Sequence, residues 1–197
     1  MVVIPEPEFV DIGLSVKWAD RNLGAAAAED AGMFFAWGEV ELKDVYSSET
    51  YKWFDGYALT KYKSKGSILD MEDDAARVLL GEGFRIPTCE EIDELTATLD
   101  DEDNYESYWK VQDGVEGWYI EYRYNHNSIF IPTAGARQDH TSFKKGEVIY
   151  FWSNQTDNSN ADKGTLLRAE HPYTKLNANK SSLLKSYGIP IRPVAGK

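Results

Sequence analysis

The chain has 197 residues, 33 of them acidic and 21 basic, with a formal net charge of −12 and a pI near 4.7. Hydrophobic residues make up 42% and aromatic residues 13%, which suits one folded domain with a sizeable core and excludes a disordered chain. The acidity argues against a nucleic-acid surface, because the longest basic run is Lys144-Lys145.

Residues 1–8 hold Pro5 and Pro7 among acids and read as a linker or tag remnant, with a domain from 9 to 197. The first residues lack a basic n-region and a long apolar stretch, so any export segment lies outside this chain. From Phe9 to Trp18, Val10, Ile12, Leu14, Val16 and Trp18 alternate with the other residues, which predicts one strand with a buried face. Asn22-Leu23-Gly24 and the alanines after it are open between a loop and a turn or two of helix. Phe34 to Glu39 reads as buried irregular chain. Residues 40–70 read as a long insertion pinned by Tyr51, Trp53 and Tyr57. Glu72 to Val78 predicts a short helix with its acids at the positive end of the helix dipole.

The strongest local signal is Gly83-Phe84-Arg85-Ile86-Pro87-Thr88-Cys89-Glu90-Glu91. Pro87 forces Ile86 out of the helical region, Thr88 is an N-cap, and Glu91 completes a capping box. Ile92, Leu95 and Leu99 then recur at helical spacing, so a helix starting at Cys89 buries one face. The run Asp100 to Asn104 is a solvated turn. Trp118 to Tyr124 predicts a strand, and Asn125-His126-Asn127 turns it into a second at Ser128–Pro132. Val148–Trp152 and Thr165–Ala169 read as strands. Residues 153–164 and 170–186 read as polar loops. Ile189 to Val194 carries Pro190 and Pro193, which restricts it to a strand edge or end.

Several ordered motifs now fit one pattern. They include Phe9-Val10-Asp11-Ile12-Gly13-Leu14, Val16-Lys17-Trp18-Ala19, Asn22-Leu23-Gly24-Ala25 and Phe35-Ala36-Trp37-Gly38-Glu39. Asp73-Asp74-Ala75-Ala76, Phe84-Arg85-Ile86-Pro87-Thr88 and Ile129 to Gly135 follow, then Phe151-Trp152-Ser153 and Ile191-Arg192-Pro193-Val194. Together they resemble the Fibrobacter succinogenes major paralogous domain, a family abundant in Bacteroidetes, over about residues 9 to 194. The resemblance implies an α+β, C-type lectin-like fold with two helices, small antiparallel sheets, long loops and paired terminal strands. It implies kinship with the formylglycine-generating enzyme and with variable proteins of diversity-generating retroelements. It also implies a cell-surface or secreted location and a ligand-facing surface in the C-terminal half.

Catalytic signals are sparse. The formylglycine-generating enzyme works through paired cysteines, and this chain has only Cys89, which also excludes an intrachain disulfide and a Cys-based zinc site. Cys89 reads as a small packed residue; a reactive thiol at a helix start is the alternative. His126, His140 and His171 lack zinc-ligand spacing. Asn158 to Gly164 places side-chain oxygens at alternate positions, as a calcium loop does. Lys163, however, stands where the turn glycine belongs, and Ala169 where the closing glutamate belongs. No cofactor is expected; calcium is kept only as the alternative there. No apolar window is long enough for membrane insertion. The sequons at Asn154 and Asn179 read as chance.

The loops carry the recognition signal. Asn154, Gln155, Asp157, Asn158, Asn160, Glu170, His171 and Asn177, with Arg137, His140 and Arg168, offer adaptable hydrogen bonds, and Trp152 and Tyr173 offer stacking area. Asparagine codons are adenine-rich and diversity-generating retroelements mutate adenines, so these asparagines form a candidate diversified set. The expectation is a non-catalytic module that binds a protein or glycan through loops 137–145, 153–164 and 168–180. The alternative is a structural surface or pilus-associated module whose loops are passive. A third reading, a degenerate enzyme, requires a second thiol or a metal beside Cys89.

Overall fold

The computed structural model describes residues 4–171 and 176–197. Short antiparallel sheets surround two helices, an α+β architecture. β1 (Phe9–Val10) and β2 (Lys17–Ala19) pair with each other. The stretch read as one strand is therefore two, joined by a turn in which Gly13 adopts a φ of +82°. The alternation still reports burial: Ile12, Val16 and Trp18 are buried because the turn itself lies on the core. The first residues are also less free than a linker, since Pro7 is buried and Ile4 packs against core side chains.

Residues 22–28 form turns and bends, not helix, and lead to β3 (Phe34–Phe35). The insertion that follows is held by hydroxyls and an indole on main-chain carbonyls. Tyr46 donates to Phe34 (2.6 Å), Tyr51 to Trp37 (2.8 Å) and the Trp53 Nε1 to Gly38 (3.0 Å). Tyr57, expected as a third pin, is 96% exposed; Tyr46 and Tyr62 are buried in its stead. The acidic helix divides into a 3₁₀ turn (Met71–Asp73) and α1 (Ala75–Leu80), because Asp74 takes an extended conformation and caps Arg77.

β4 (Phe84–Arg85) precedes α2 (Cys89–Ala97). The capping box is formed as read: the Glu91 amide donates to Thr88 Oγ1 (3.2 Å) and the Thr88 amide to Glu91 Oε2 (2.8 Å). Arg85 clamps the Glu91 carboxylate with both terminal nitrogens. Ile92 and Leu95 are fully buried, and Leu99 lies just past the helix end. β5 (Tyr105–Gln112), β6 (Val115–Tyr122) and β7 (Asn127–Pro132) form a meander, joined first at Asp113-Gly114 and then at His126. β8 (Ala136–Gln138) and β9 (Thr141–Phe143) make a small hairpin.

β10 (Val148–Thr156), β11 (Lys163–Glu170) and β12 (Asn177–Leu184) form a second meander. Two expected loops shrink here. The strand pairing carries β10 on to Thr156, and Asn177–Leu184 within the second is β12, a polar edge strand whose side chains give no hydrophobic alternation. β13 (Ile189–Pro190) pairs with β3, and β14 (Val194–Ala195) lies between β2 and β4 in a sheet ordered β1-β2-β14-β4. The ends of the domain meet in one sheet, with β2 and not β1 as the direct partner of β14.

β10 is covered on both faces, and this divides the core. Ile149 and Phe151 join Trp18, Ile92, Leu95, Trp118, Ile120 and Leu167 on the α2 side. Val148, Tyr150 and Trp152 join Phe35, Trp37, Tyr62, Ile189 and Ile191 on the other. Arg192, 0% exposed, lies beside the ends of the domain. Its guanidinium donates to the carbonyls of Ala19 (2.8 Å), Asp20 (2.9 Å) and Phe130 (2.8 Å), and to Asn22 Oδ1 (3.3 Å). Lys185, 1% exposed, donates from Nζ to the Tyr62 carbonyl (2.9 Å), its ammonium 5.1 Å from the Trp37 ring centre. Tyr62 itself holds a left-handed backbone, φ +55°, so Lys185 ties down a strained residue.

Two outcomes are expected. Arg192→Met removes the guanidinium from three main-chain carbonyls in two segments and from the Asn22 side chain, so unfolding free energy falls by about 3 kcal/mol or more. A urea midpoint equivalent to less than about 1 kcal/mol below wild type would remove Arg192 from this role. Burial pushes the Lys185 amine down to about 8, partly offset by the Asp162 carboxylate. Below that pH the amine is charged in both states, and folding carries the cost of burying it. Above it the folded protein sheds the proton while the unfolded chain keeps it, so stability rises with pH. Urea titrations at pH 7 and 9.5 should show wild type gaining stability relative to Lys185→Met; parallel curves would refute it.

Candidate functional site

The C-terminal polar residues lie in separate places. The β10–β11–β12 register sets them apart: Thr156 pairs with Gly164 at one end and Val148 with Glu170 at the other. At about 3.3 Å per residue, the two ends stand roughly 20 Å apart.

At the first end is a groove of about 510 Å³. Gln155, Asp157 and Asn158 enter it from the end of β10 and the turn beyond, Cys89 and Glu90 from the start of α2, and Thr165, Lys180 and Ser182 from β11 and β12. These strand residues belong to the α2 face, as the Lys180–Asp93 ion pair (2.6 Å) confirms. Their positions are fixed from behind. The Asn154 amide donates to the Pro87 carbonyl (2.9 Å) and Leu69 donates to the Asn154 carbonyl (2.8 Å). Thr156 Oγ1 accepts from the Ser67 amide (2.7 Å) and donates to the Ser64 carbonyl (3.1 Å). The insertion thus props the end of β10, and Asn158 lies over Gly66.

The groove is chemically mixed. Lys180 and the Gln155 amide donate, Glu90 and Asp157 accept, and the Ser and Thr hydroxyls do both. Asp157 Oδ1 also accepts from the amides of Ser159 (2.7 Å) and Asn160 (2.8 Å). Burial alone would raise the Asp157 carboxyl; these hydrogen bonds outweigh it and hold the group below its usual range. Asn160 Oδ1 accepts from the Asp162 amide (2.9 Å). The oxygens that suggested a calcium loop are therefore turned onto their own backbone. Among the described residues no group of three or more His, Cys, Asp or Glu side chains is placed to hold a metal.

Two residues assigned to the contact face are inside the protein. Trp152 is 0% exposed and donates its Nε1 to the Phe35 carbonyl (2.8 Å). It supplies no stacking area, because β10 is covered on both faces at that point. Asn154 is partly buried, with Oδ1 sealed from solvent and without a hydrogen-bond partner among the described residues.

No family model, curated protein or solved structure matches this chain. Geometry alone therefore assigns the remaining residues. Arg168, Glu170 and Asn177 lie on the opposite face of the sheet, where register sets Tyr150, Arg168 and Asn179 in one row. Arg168 grips Glu170 through both terminal nitrogens. Burial works against the Arg168 charge, and its hydrogen bonds to Glu170, helped by Tyr150, more than restore it. His171 is exposed and stacks on Trp109, 5.8 Å between ring centres. Arg137 and His140 project from the β8–β9 hairpin, a third location. Tyr173 lies outside the described residues.

Sequence reasoning missed Glu90, Thr165, Lys180 and Ser182 as groove residues. The capping box located the start of α2, but no local signal says that this start faces β12. Cys89 is buried, with Sγ 3.5 Å from Ser153 Oγ. Burial pushes its thiol up, more than the Ser153 hydrogen bond lowers it. Alkylation by iodoacetamide at pH 8 is expected to be at least about a hundredfold slower in the native protein than in urea, since the thiolate is the nucleophile. Equal rates would restore the reactive thiol.

Proposed function

We propose that this protein is a non-catalytic recognition module of C-type lectin-like fold, displayed at a cell surface or secreted, that binds a protein or glycan ligand. The observation that carries the reading is the groove. Polar side chains from the β10–β11 turn, β11, β12 and the α2 start converge on one concavity, held from behind by the insertion. Its lining is rich in amides, hydroxyls and carboxylates, which suits directional hydrogen bonding to a polar surface. No histidine lines it, and its thiol is buried beside a serine, which supports binding over catalysis. The meeting of the ends in one sheet supports the lectin-like assignment. The turn asparagines make the groove rim the candidate diversified segment.

The first contact surface proposed for this module, all three C-terminal loops at once, narrows to one end of the sheet. A structural module with passive loops is the second reading. It is favoured by the self-contained hydrogen bonds of Asp157 and Asn160 and by the absence of an exposed aromatic ring from the groove lining.

A glycan and surface-protein array separates the two. Wild type should bind a defined subset, and an Asn158→Ala, Lys180→Ala pair should weaken that binding at least about tenfold, the loss of one or two charged or amide hydrogen bonds. An Arg168→Ala, Asn179→Ala pair on the opposite face should not. Absence of any specific binder, or undiminished binding by the groove pair, would leave the structural module standing.

A further inference from the structure

The arginines of this acidic chain are almost all committed. Arg21, Arg77, Arg85, Arg123 and Arg168 form ion pairs with carboxylates, and Arg192 is buried against carbonyls. Arg137 differs. Its guanidinium forms no ion pair with any carboxylate of the described residues, although acids outnumber bases 33 to 21. It is held 5.5 Å from the Phe34 ring centre, and its main chain is fixed by the Gly188 carbonyl (2.7 Å). Position and charge are therefore set with no carboxylate partner, although the Tyr46 hydroxyl lies within reach of the guanidinium.

Beside it opens a cleft of about 390 Å³. Met33, Phe34, Leu42 and Tyr46 line it, with Leu42 left 52% exposed at a point where nothing covers it. Lys43 also lines the cleft, but its ammonium is bound to Glu39 (2.8 Å) and the Thr50 carbonyl (3.1 Å). Asp44 stands exposed at the same cleft. Its charge repels a multiply charged anion more strongly than a single carboxylate. The cleft is of the size that ordinarily takes a small ligand.

We propose that this cleft binds a single carboxylate carried on an apolar body, with Arg137 forking the carboxylate and Phe34, Met33 and Leu42 receiving the apolar part. A planar guanidinium pre-set by its cation–π contact with Phe34 loses little freedom on forming two parallel hydrogen bonds, which a lysine there would not reproduce. The site is separate from the groove and stands whether or not the groove binds a ligand.

The test is an NMR titration of the full chain with phenylbutyrate, phenylbutanamide and acetate. Phenylbutyrate should shift cleft resonances with a dissociation constant on the order of 1 mM, as a ligand of a dozen heavy atoms allows. The neutral amide and acetate should each bind at least tenfold more weakly. Arg137→Ala should weaken phenylbutyrate at least tenfold. Leu42→Glu, a change at an exposed position that leaves the melting temperature in place, should do the same by repulsion. A peptide ending in phenylalanine, with a free or an amidated C-terminus, distinguishes a chain end from a free acid as the source of the carboxylate. Equal binding of acid and amide, no binding of phenylbutyrate to wild type, or undiminished binding by Arg137→Ala would overturn the proposal.

Discussion

A single buried guanidinium ties the domain together. A charge the size of Arg192 costs several kcal/mol to bring out of water, and only a nearly complete set of acceptors offsets that cost. The set comes from the end of β2 and the residues just after it (Ala19, Asp20 and Asn22) and from Phe130 of β7, so both segments must be in place around the residue that precedes Pro193 and β14. The neighbouring main chain repeats the same connection: Ala19 donates to the Pro193 carbonyl and Leu23 to the Ile191 carbonyl, both at 2.9 Å. The closure of the two ends is thus a polar event inside an otherwise apolar interior.

With the ends closed, β10 becomes the partition of the molecule. Its run Val148-Ile149-Tyr150-Phe151-Trp152 is apolar at every position because each face meets a different core cluster. β11 carries this partition outward with Leu167 and Ala169 on one side and Leu166 on the other. Past the core the same alternation changes from apolar to polar. Thr165 and Lys180 then fall on the groove side, and Arg168 and Asn179 on the opposite side. A strand that divides two cores also divides the polar surface, so Asn158 and Glu170 end up on different faces of the sheet.

Charge organises the remainder. A strong excess of carboxylates pairs off most of the cations, and the pairs serve as local fasteners: Arg85 on Glu91 at the start of α2, Lys61 on Asp70 and Asp73 beneath the insertion, Lys180 on Asp93 between α2 and β12. Among the cations without a carboxylate partner, three are held in other ways. Lys185 and Arg192 are enclosed and donate to carbonyls. Arg137 is open and lies over an aromatic face.

Local chemistry was readable wherever one stretch of chain decides its own conformation. Thr88 and Glu91 determined the start of α2 because both partners of the capping box lie within four residues, and the apolar run determined β10 because burial on two faces leaves no polar position. The Asp113-Gly114 turn, with both residues at positive φ, was legible in principle and would have revealed β5. β12 was not legible: an edge strand owes its conformation to hydrogen bonds from β11, and its Asn, Lys and Ser side chains carry no trace of that pairing. Trp152 looked like a contact residue beside polar loops and is core, since what covers it comes from Phe35, more than a hundred residues earlier. The groove and the Arg137 cleft belong to tertiary structure alone. Each is made of side chains that become neighbours only after the ends close, and no spacing along the chain encodes an approach between residues so far apart.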